Sequence, residues 1–441
     1  MSGEATSDVS SRAPLPEGTL PVGIGLFVSG ITAYIFFKVG QVALGTEDFK
    51  PIVALWFIMF ALVPGFFMPV EQELGRALAH RRALAHGGRP VVVRMAALAG
   101  GIAAVLVAGI ALASGWLTSD MFEGYGIVTV ALVVAVTVYG PFHLARGIAS
   151  GSGRFVAYGL VMAIDGGVRL AACVALWLAG VTDVGAYAIA VVISPLVAVA
   201  VVVARGDGRT EQGPPAPMSE VTGNLGWLLV GSAMGAALVN AGPLAVDILA
   251  SSDEAAKVTA FGNGVLLARV PLFLFQAVQA ALLPRLARLA AKGDLGEFSE
   301  GLTLLMRVVA GVAALGTAGA FALGPPLLDL VYDGGLDRRT LTLLALASGL
   351  YMLALALAQA VIALRGHSMV AVGWASAVGT FLAVTAMAGD DLFLRVEIGL
   401  VSASLVALAV FGGTLRSRMA RGERPDAEAF IDGIADSPFE G

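Results

Sequence analysis

Arg269 and Pro271 stand two positions apart near the centre of an almost continuously apolar stretch, "GNGVLLARVPLFLFQAVQAALLPRLARLAAKGD", residues 262 to 294. A charge at mid-bilayer costs on the order of a few kcal/mol unless it meets water, a counter-charge or protein. Pro271 has no N–H to give the Leu267 carbonyl, so the helix must bend and that oxygen must find another donor. Two chemistries fit. Arg269 can face an aqueous cavity and hold an anion such as a pyrophosphate, which its planar fork suits. Or it can bond freed carbonyls, or a carboxylate from another helix.

Four further charges are candidates. Asp165 and Arg169 lie four apart and share a helical face, either neutralising each other or forming an ion-sensitive pair. Asp247 follows Asn240 and Pro243 and is a candidate coupling carboxylate, although solvation at the outer surface is the other reading. Lys38, close to the outer end of the first apolar run, can line a cavity or snorkel to the surface. Arg269, Arg169 and Lys38 thus form the candidate substrate-binding set, and Asp165 and Asp247 the ion-coupling set. Tyr34 and Tyr351 can stack on sugars or pack in the core.

Other chemistries lack their residues. His80, His86, His143 and His367 fall in or beside expected inner loops without metal-ligand spacing, and Cys173 is the only cysteine. There is no phosphate-cradling Gly-x-x-x-x-Gly-Lys-Ser/Thr loop, so no ATPase domain is expected. The outer loops are too short to carry the acidic residues of a membrane glycosyltransferase. Neither an enzyme, a cofactor, a metal nor a nucleic-acid partner is expected.

The elements that must hold these charges are membrane spans. Of 441 residues, 58% are hydrophobic and 13% charged, with mean hydropathy +0.86, far more apolar than a soluble domain. Apolar runs and polar breaks predict twelve helical spans: 20–44, 51–70, 95–117, 125–144, 155–178, 186–204, 225–249, 258–283, 301–331, 341–364, 369–388 and 392–415. "RGDGRTEQGPPAPMSEVTGN" (205–224) reads as a flexible linker. It leaves a tail at 1–19, a six-helix bundle at 20–204, a second at 225–415 and a tail at 416–441. The expected fold is an all-α polytopic membrane protein. With both termini in the cytoplasm, 18 Lys and Arg fall on the inner side and five on the outer side, so the positive-inside rule sets the topology. The basic cluster from Arg76 to Arg94 belongs to that pattern, with attraction of anionic membrane lipids as its second reading.

The halves echo each other. "VPGFFMPVEQ" (63–72) and "VPLFLFQAVQ" (270–279) share Val-Pro and Gln at one spacing, and "LARG" (144–147) and "LRG" (364–366) close spans four and ten. Corresponding spans run the same way, which predicts parallel repeats about an axis along the membrane normal.

On the stretch 261–298, the "LARG" and "LRG" ends and "ALGPPLLDLVYDGG" (322–335), the chain resembles the multidrug/oligosaccharidyl-lipid/polysaccharide exporter superfamily, most of all its lipid-linked glycan flippases. The resemblance implies two six-helix bundles around a central cavity with alternating access. It also implies a polyprenyl-pyrophosphate-type glycolipid as substrate and the cytoplasmic (inner) membrane as location. Peptidoglycan-precursor flippases carry two further helices and several arginines in their first two spans, where this chain offers only Lys38. A cation-coupled multidrug exporter of the same superfamily is the alternative. Those exporters often place a carboxylate in the first span, and residues 20–44 contain none.

The topology predicts that Ser219→Cys, in a Cys173→Ala background, resists an impermeant thiol reagent in intact cells. Ready labelling of correctly inserted protein would overturn it.

Overall fold

The computed structural model describes residues 19–217, 225–272, 295–332, 334–364 and 366–421, and these are all helix and connecting turns, with no strand. The expected tails, the end of the linker, the second half of span eight and the charges Arg285, Arg288, Lys292 and Arg365 lie wholly or partly outside the described residues. The first half comprises α1 (Thr19–Leu44), α2 (Lys50–Ala83), α3 (Arg89–Leu112), α4 (Gly126–Gly151), α5 (Phe155–Leu178) and α6 (Val184–Ala204). The second comprises α7 (Leu225–Leu249), α8 (Ala255–Ala268), α9 (Leu295–Tyr332), α10 (Arg338–Ala363), α11 (His367–Met387) and α12 (Leu392–Ala420). All but α8 are long and apolar enough to cross a membrane, which makes eleven spans among the described residues.

The largest departure from expectation is α2, which continues thirteen residues past Val70. Hydropathy falls there, but "EQELGRALAHRRA" is rich in good helix formers, and Glu73 pairs with Arg76 at 2.5 Å across one turn. Likewise α4 runs on through Arg146 to Gly151, so Arg146, counted with the inner loops, is a buried residue inside a helix. Lys50, counted with the outer loops, is also buried.

Helix neighbours repeat between the halves. α1 packs on α5 and α7 on α11; α3 packs on α4 and α9 on α10; α5 packs on α6 and α11 on α12. α2 meets α4 as α8 meets α10, and α4 meets α6 as α10 meets α12. Even the caps correspond: Asp183 accepts the Ala186 N–H at the start of α6, and Asp391 the Leu394 N–H at the start of α12. The order of neighbours is thus the same in both halves, while most of the second copies of the sequence echo, 273–279 and Arg365, lies outside the described residues.

Small residues set the closest approaches, as is usual between helices in lipid. A Cβ on Gly151 would sit 2.5 Å from the Gly75 carbonyl, and one on Gly147 2.8 Å from the Glu71 carbonyl. Only glycine lets α4 lie this close to α2. The glycine of "LARG" therefore seats Arg146 beside Glu71.

The segment from Arg205 to Pro217, which composition marks as flexible, is fastened to the first half. Arg81 donates to the carbonyls of Pro214 (2.8 Å) and Gly87 (3.1 Å), Arg89 N–H to that of Glu211 (2.9 Å), and Arg154 to those of Asp207 and Arg209. Charged hydrogen bonds of this kind contribute about 1.5–3 kcal/mol each. Arg81→Ala combined with Arg154→Ala should raise trypsin cleavage after Arg209 by about tenfold or more, since roughly 1.4 kcal/mol already shifts an opening equilibrium tenfold. Unchanged digestion rates would show that the strap is not held by these side chains.

Candidate functional site

The halves meet along α2, which packs against α7, with α1 reaching α8. Three prolines shape this seam. Pro64 in α2 and Pro243 in α7 cannot donate to the carbonyls of Phe60 and Val239, four residues earlier, and the regular helix of α8 ends at Ala268, three residues before Pro271. Each of the first two oxygens finds a donor from the other side of a helix boundary. Asn240 Nδ2 donates to the Phe60 carbonyl at 3.0 Å, and an Arg269 Nη donates to the Val239 carbonyl. Arg269 also donates to Asn240 Oδ1 at 3.2 Å, so one polar chain runs from α2 through α7 to α8.

Arg269 is half-buried, its guanidinium 5.3 Å above the Phe57 ring. Among the described residues no carboxylate pairs with it; its polar surroundings are the amide, the freed carbonyl and the hydroxyls of Tyr34 and Tyr351. The freed-carbonyl alternative is therefore realised, but with the oxygen released by Pro243 and not the one released by Pro271. Tyr34 donates to the Leu266 carbonyl at 2.8 Å, where α8 breaks, and Tyr351 to the Gly235 carbonyl at 3.2 Å. Beside Arg269 is a cavity of about 30 Å³, bordered by Val239, Pro243, Ser348, Tyr351 and Ser404. It holds a water or two, far less than a pyrophosphate needs.

The other candidate charges do not join Arg269. Arg169 is fully buried within the first half, 3.5 Å from Asp165 and 4.9 Å above the Trp56 ring. Ser194 lies 2.7 Å from Asp165 Oδ1 and 3.1 Å from the Val191 carbonyl, the oxygen that Pro195 in α6 releases. Trp56 and Phe57 are consecutive in α2, so this helix carries one guanidinium on each side. Asp247 is buried near the end of α7, 3.1 Å from Lys50 Nζ, and Lys50 also binds Glu123. This is an ion pair across the halves, not a solvated carboxylate. Lys38 is half-buried on α1, six residues before its end.

Sequence reasoning missed Glu71, His143, Arg146 and Tyr158, which form a buried cluster between α2, α4 and α5. His143 and Arg146 are three apart on one helix, Arg146 within "LARG" itself, a signal that was available although Arg146 was counted with the inner loops and His143 placed in or beside one. Among the described residues no group of three or more His, Cys, Asp or Glu side chains is set to hold a metal ion.

No protein-family model matches the sequence, and no curated protein matches it. Solved structures do. An inward-facing multidrug-resistance MATE family transporter of the MOP superfamily superposes with TM-score 0.68 at 13% identity, covering 91% of this chain and 98% of that one. An outward-facing one gives 0.66 at 14%, covering 92% and 96%. The Vibrio cholerae MATE transporter VcmN in the bent form gives 0.61 at 16%, covering 91% and 96%. The fold is that of the MATE transporters. The seam just described lies between the two halves of the chain, and Arg269 sits on it.

A double-mutant cycle tests the role of Arg269. Arg269→Ala leaves the Val239 carbonyl without a donor, at about 1–3 kcal/mol. Pro243→Ala restores the helical N–H to that oxygen. The loss from Arg269→Ala, read as the midpoint of thermal unfolding in detergent, should thus be smaller in a Pro243→Ala background, with a coupling of about 1 kcal/mol. Additive effects would mean that the guanidinium does not serve the freed carbonyl.

Proposed function

We propose that this chain is an alternating-access exporter that moves a lipid-linked oligosaccharide, of the polyprenyl-pyrophosphate type, across the cytoplasmic membrane. The observation that carries the reading is the charge balance of the buried side chains. Asp165, Asp247 and Glu71 each have a cationic partner, whereas Arg269 has no carboxylate among the described residues. A seam with an uncompensated guanidinium attracts an anion, and a pyrophosphate presents the oxygens that a guanidinium binds in pairs.

In the closed arrangement the Val239 carbonyl and the Asn240 amide hold Arg269. Separation of α2 from α7 and α8 opens space beside it, and a phosphate oxygen then replaces the carbonyl as its partner. Lys38 and Arg169 are weaker contributors on this reading, since Arg169 is committed to Asp165 and Trp56. The inner-membrane location and cytoplasmic termini rest on the distribution of basic residues.

The multidrug reading has its own support in the named MATE structures. A cationic drug, however, calls for an unpaired carboxylate, and the seam offers a cation in its place.

Depleting the protein should accumulate a lipid-linked oligosaccharide on the inner leaflet with its glycan composition unchanged. Complementation with Arg269→Lys should restore part of the flux, because the charge remains but the fork is lost, and Arg269→Ala should restore none. Altered drug sensitivity with no accumulated lipid intermediate would transfer the assignment to the multidrug reading.

A further inference from the structure

The second half carries an open apolar groove that the seam does not use. It lies between α9 and α10 and offers about 580 Å³, against about 30 Å³ beside Arg269. Its α9 wall runs from Ala310 to Phe321 and its α10 wall from Thr342 to Leu353. Each wall is therefore roughly 16 Å long, half of a hydrocarbon core of about 30 Å. The two helices meet at Gly349, where an added Cβ would sit 2.8 Å from that of Ala313.

The groove faces lipid. On α10 the seam cavity takes Leu344, Ala347, Ser348 and Tyr351, whereas the groove takes Leu346, Gly349, Leu350 and Leu353, each two positions further on. Two positions turn a helix by about 200°, so the groove looks away from the seam. Among the described residues α9 is the least buried of the spans, and Ala310, Ala314, Ala318 and Phe321 on its groove wall are exposed. The lining carries two side-chain hydroxyls besides its apolar groups, and both donate within their own helices. Thr317 bonds the Ala313 carbonyl at 2.8 Å and Thr342 the Arg338 carbonyl at 2.6 Å. A sugar would find no free donor along these walls, and a hydrocarbon chain needs none.

One cation stands at the end of the groove away from the linker. Arg338, four residues before Thr342 on the same face of α10, holds its guanidinium 5.3 Å over the Phe321 ring. Contact with a ring positions the cation without neutralising it. The neighbouring carboxylates have other partners. Asp337 and Asp391 accept from the Thr340 and Leu394 N–H groups, and both of them, with the buried Glu397, lie within 4.0 Å of Arg339. Among the described residues no carboxylate pairs with Arg338. An apolar channel one leaflet deep, with an unpaired guanidinium at its membrane-surface end, is complementary to a lipid phosphate and its chain. We propose that this groove binds a phospholipid of the leaflet away from the linker, with one acyl chain along α9 and α10 and the phosphate on Arg338. The guanidinium fork suits two phosphate oxygens at once. The site is independent of what the seam transports, but α10 presents Tyr351 to the seam from its opposite face, so the bound lipid braces the back of that helix.

The test uses the full chain, freed of lipid in a maltoside detergent that carries no phosphate, and phosphatidylglycerol with a photoreactive diazirine on one acyl chain. After illumination the labelled residues are read by peptide mass spectrometry. Label should concentrate on 310–321 and 342–353, above the level on α3, which is also poorly buried and serves as the reference for ordinary lipid contact. Excess dioleoyl phosphatidylglycerol should compete. Dioleoylglycerol, which lacks the phosphate, and glycerol phosphate, which lacks the chains, should not. Arg338→Gln should lower groove labelling about fivefold with α3 unchanged, as expected for one basic residue at a membrane surface. Ala314→Leu with Ala318→Leu, which fills the groove, should abolish it. Equal labelling of α3 and the groove, competition by dioleoylglycerol as strong as by the phospholipid, or an Arg338→Gln protein labelled as its parent is would each overturn the proposal. So would an unlabelled groove, whether a second copy or another part of the chain covers that face.

Discussion

A carbonyl that a proline releases inside a bilayer has no water to turn to, and much of the polar architecture of this chain follows from that constraint. Three of the intramembrane prolines have a polar side chain at the oxygen they release: Asn240 at Phe60, Arg269 at Val239 and Ser194 at Val191. In each case the side chain does more than repair the helix. Asn240 and Arg269 reach across helix boundaries, and Ser194 lies against Asp165. Bends and polar groups thus arrive together, since each is expensive without the other.

The consequence concentrates on α2. Its far end is tied to α7 by Lys50 and Asp247, its centre to α7 by Asn240, to α5 by Arg169 over Trp56 and to the end of α8 by Arg269 over Phe57, and its linker end to α4 and α5 by Glu71. Gln41 of α1 and Asn263 of α8 exchange paired amide hydrogen bonds at 2.7 and 3.0 Å and close the same seam from the other side. A helix with Pro64 and Pro69 in its interior can bend between these attachment points. Its ends are fixed to different partners.

How much of this the sequence revealed depends on the physical signal in question. Apolar runs located the helices because lipid imposes length and composition together; α5 and α7 have the bounds that hydropathy predicts. In the first half, Val-Pro and "LARG" mark a bend and close glycine contacts. Hydropathy ended α2 and α4 too early, because a helix does not stop where it turns polar. That error placed Arg146 in a loop and His143 at the very end of a span, and hid their pairing with Glu71. The partner of Arg269 was not readable, because the oxygen it bonds is released by a proline in another helix, and no spacing along one segment reports that.

The placement of Arg269 also bears on how a seam can both close and bind. A guanidinium buried with no partner would oppose closure, and one locked to a carboxylate would resist substrate. A single freed carbonyl with an amide beside it lies between these extremes. It satisfies the cation in this structure, and under the function proposed above a doubly charged phosphate, a stronger partner than a neutral carbonyl, would displace it once the seam opens. A carboxylate at position 240 would instead pair with Arg269 and remove that preference. Among the residues at this seam, an amide is the side chain that bonds both the Phe60 carbonyl and the guanidinium without neutralising the charge.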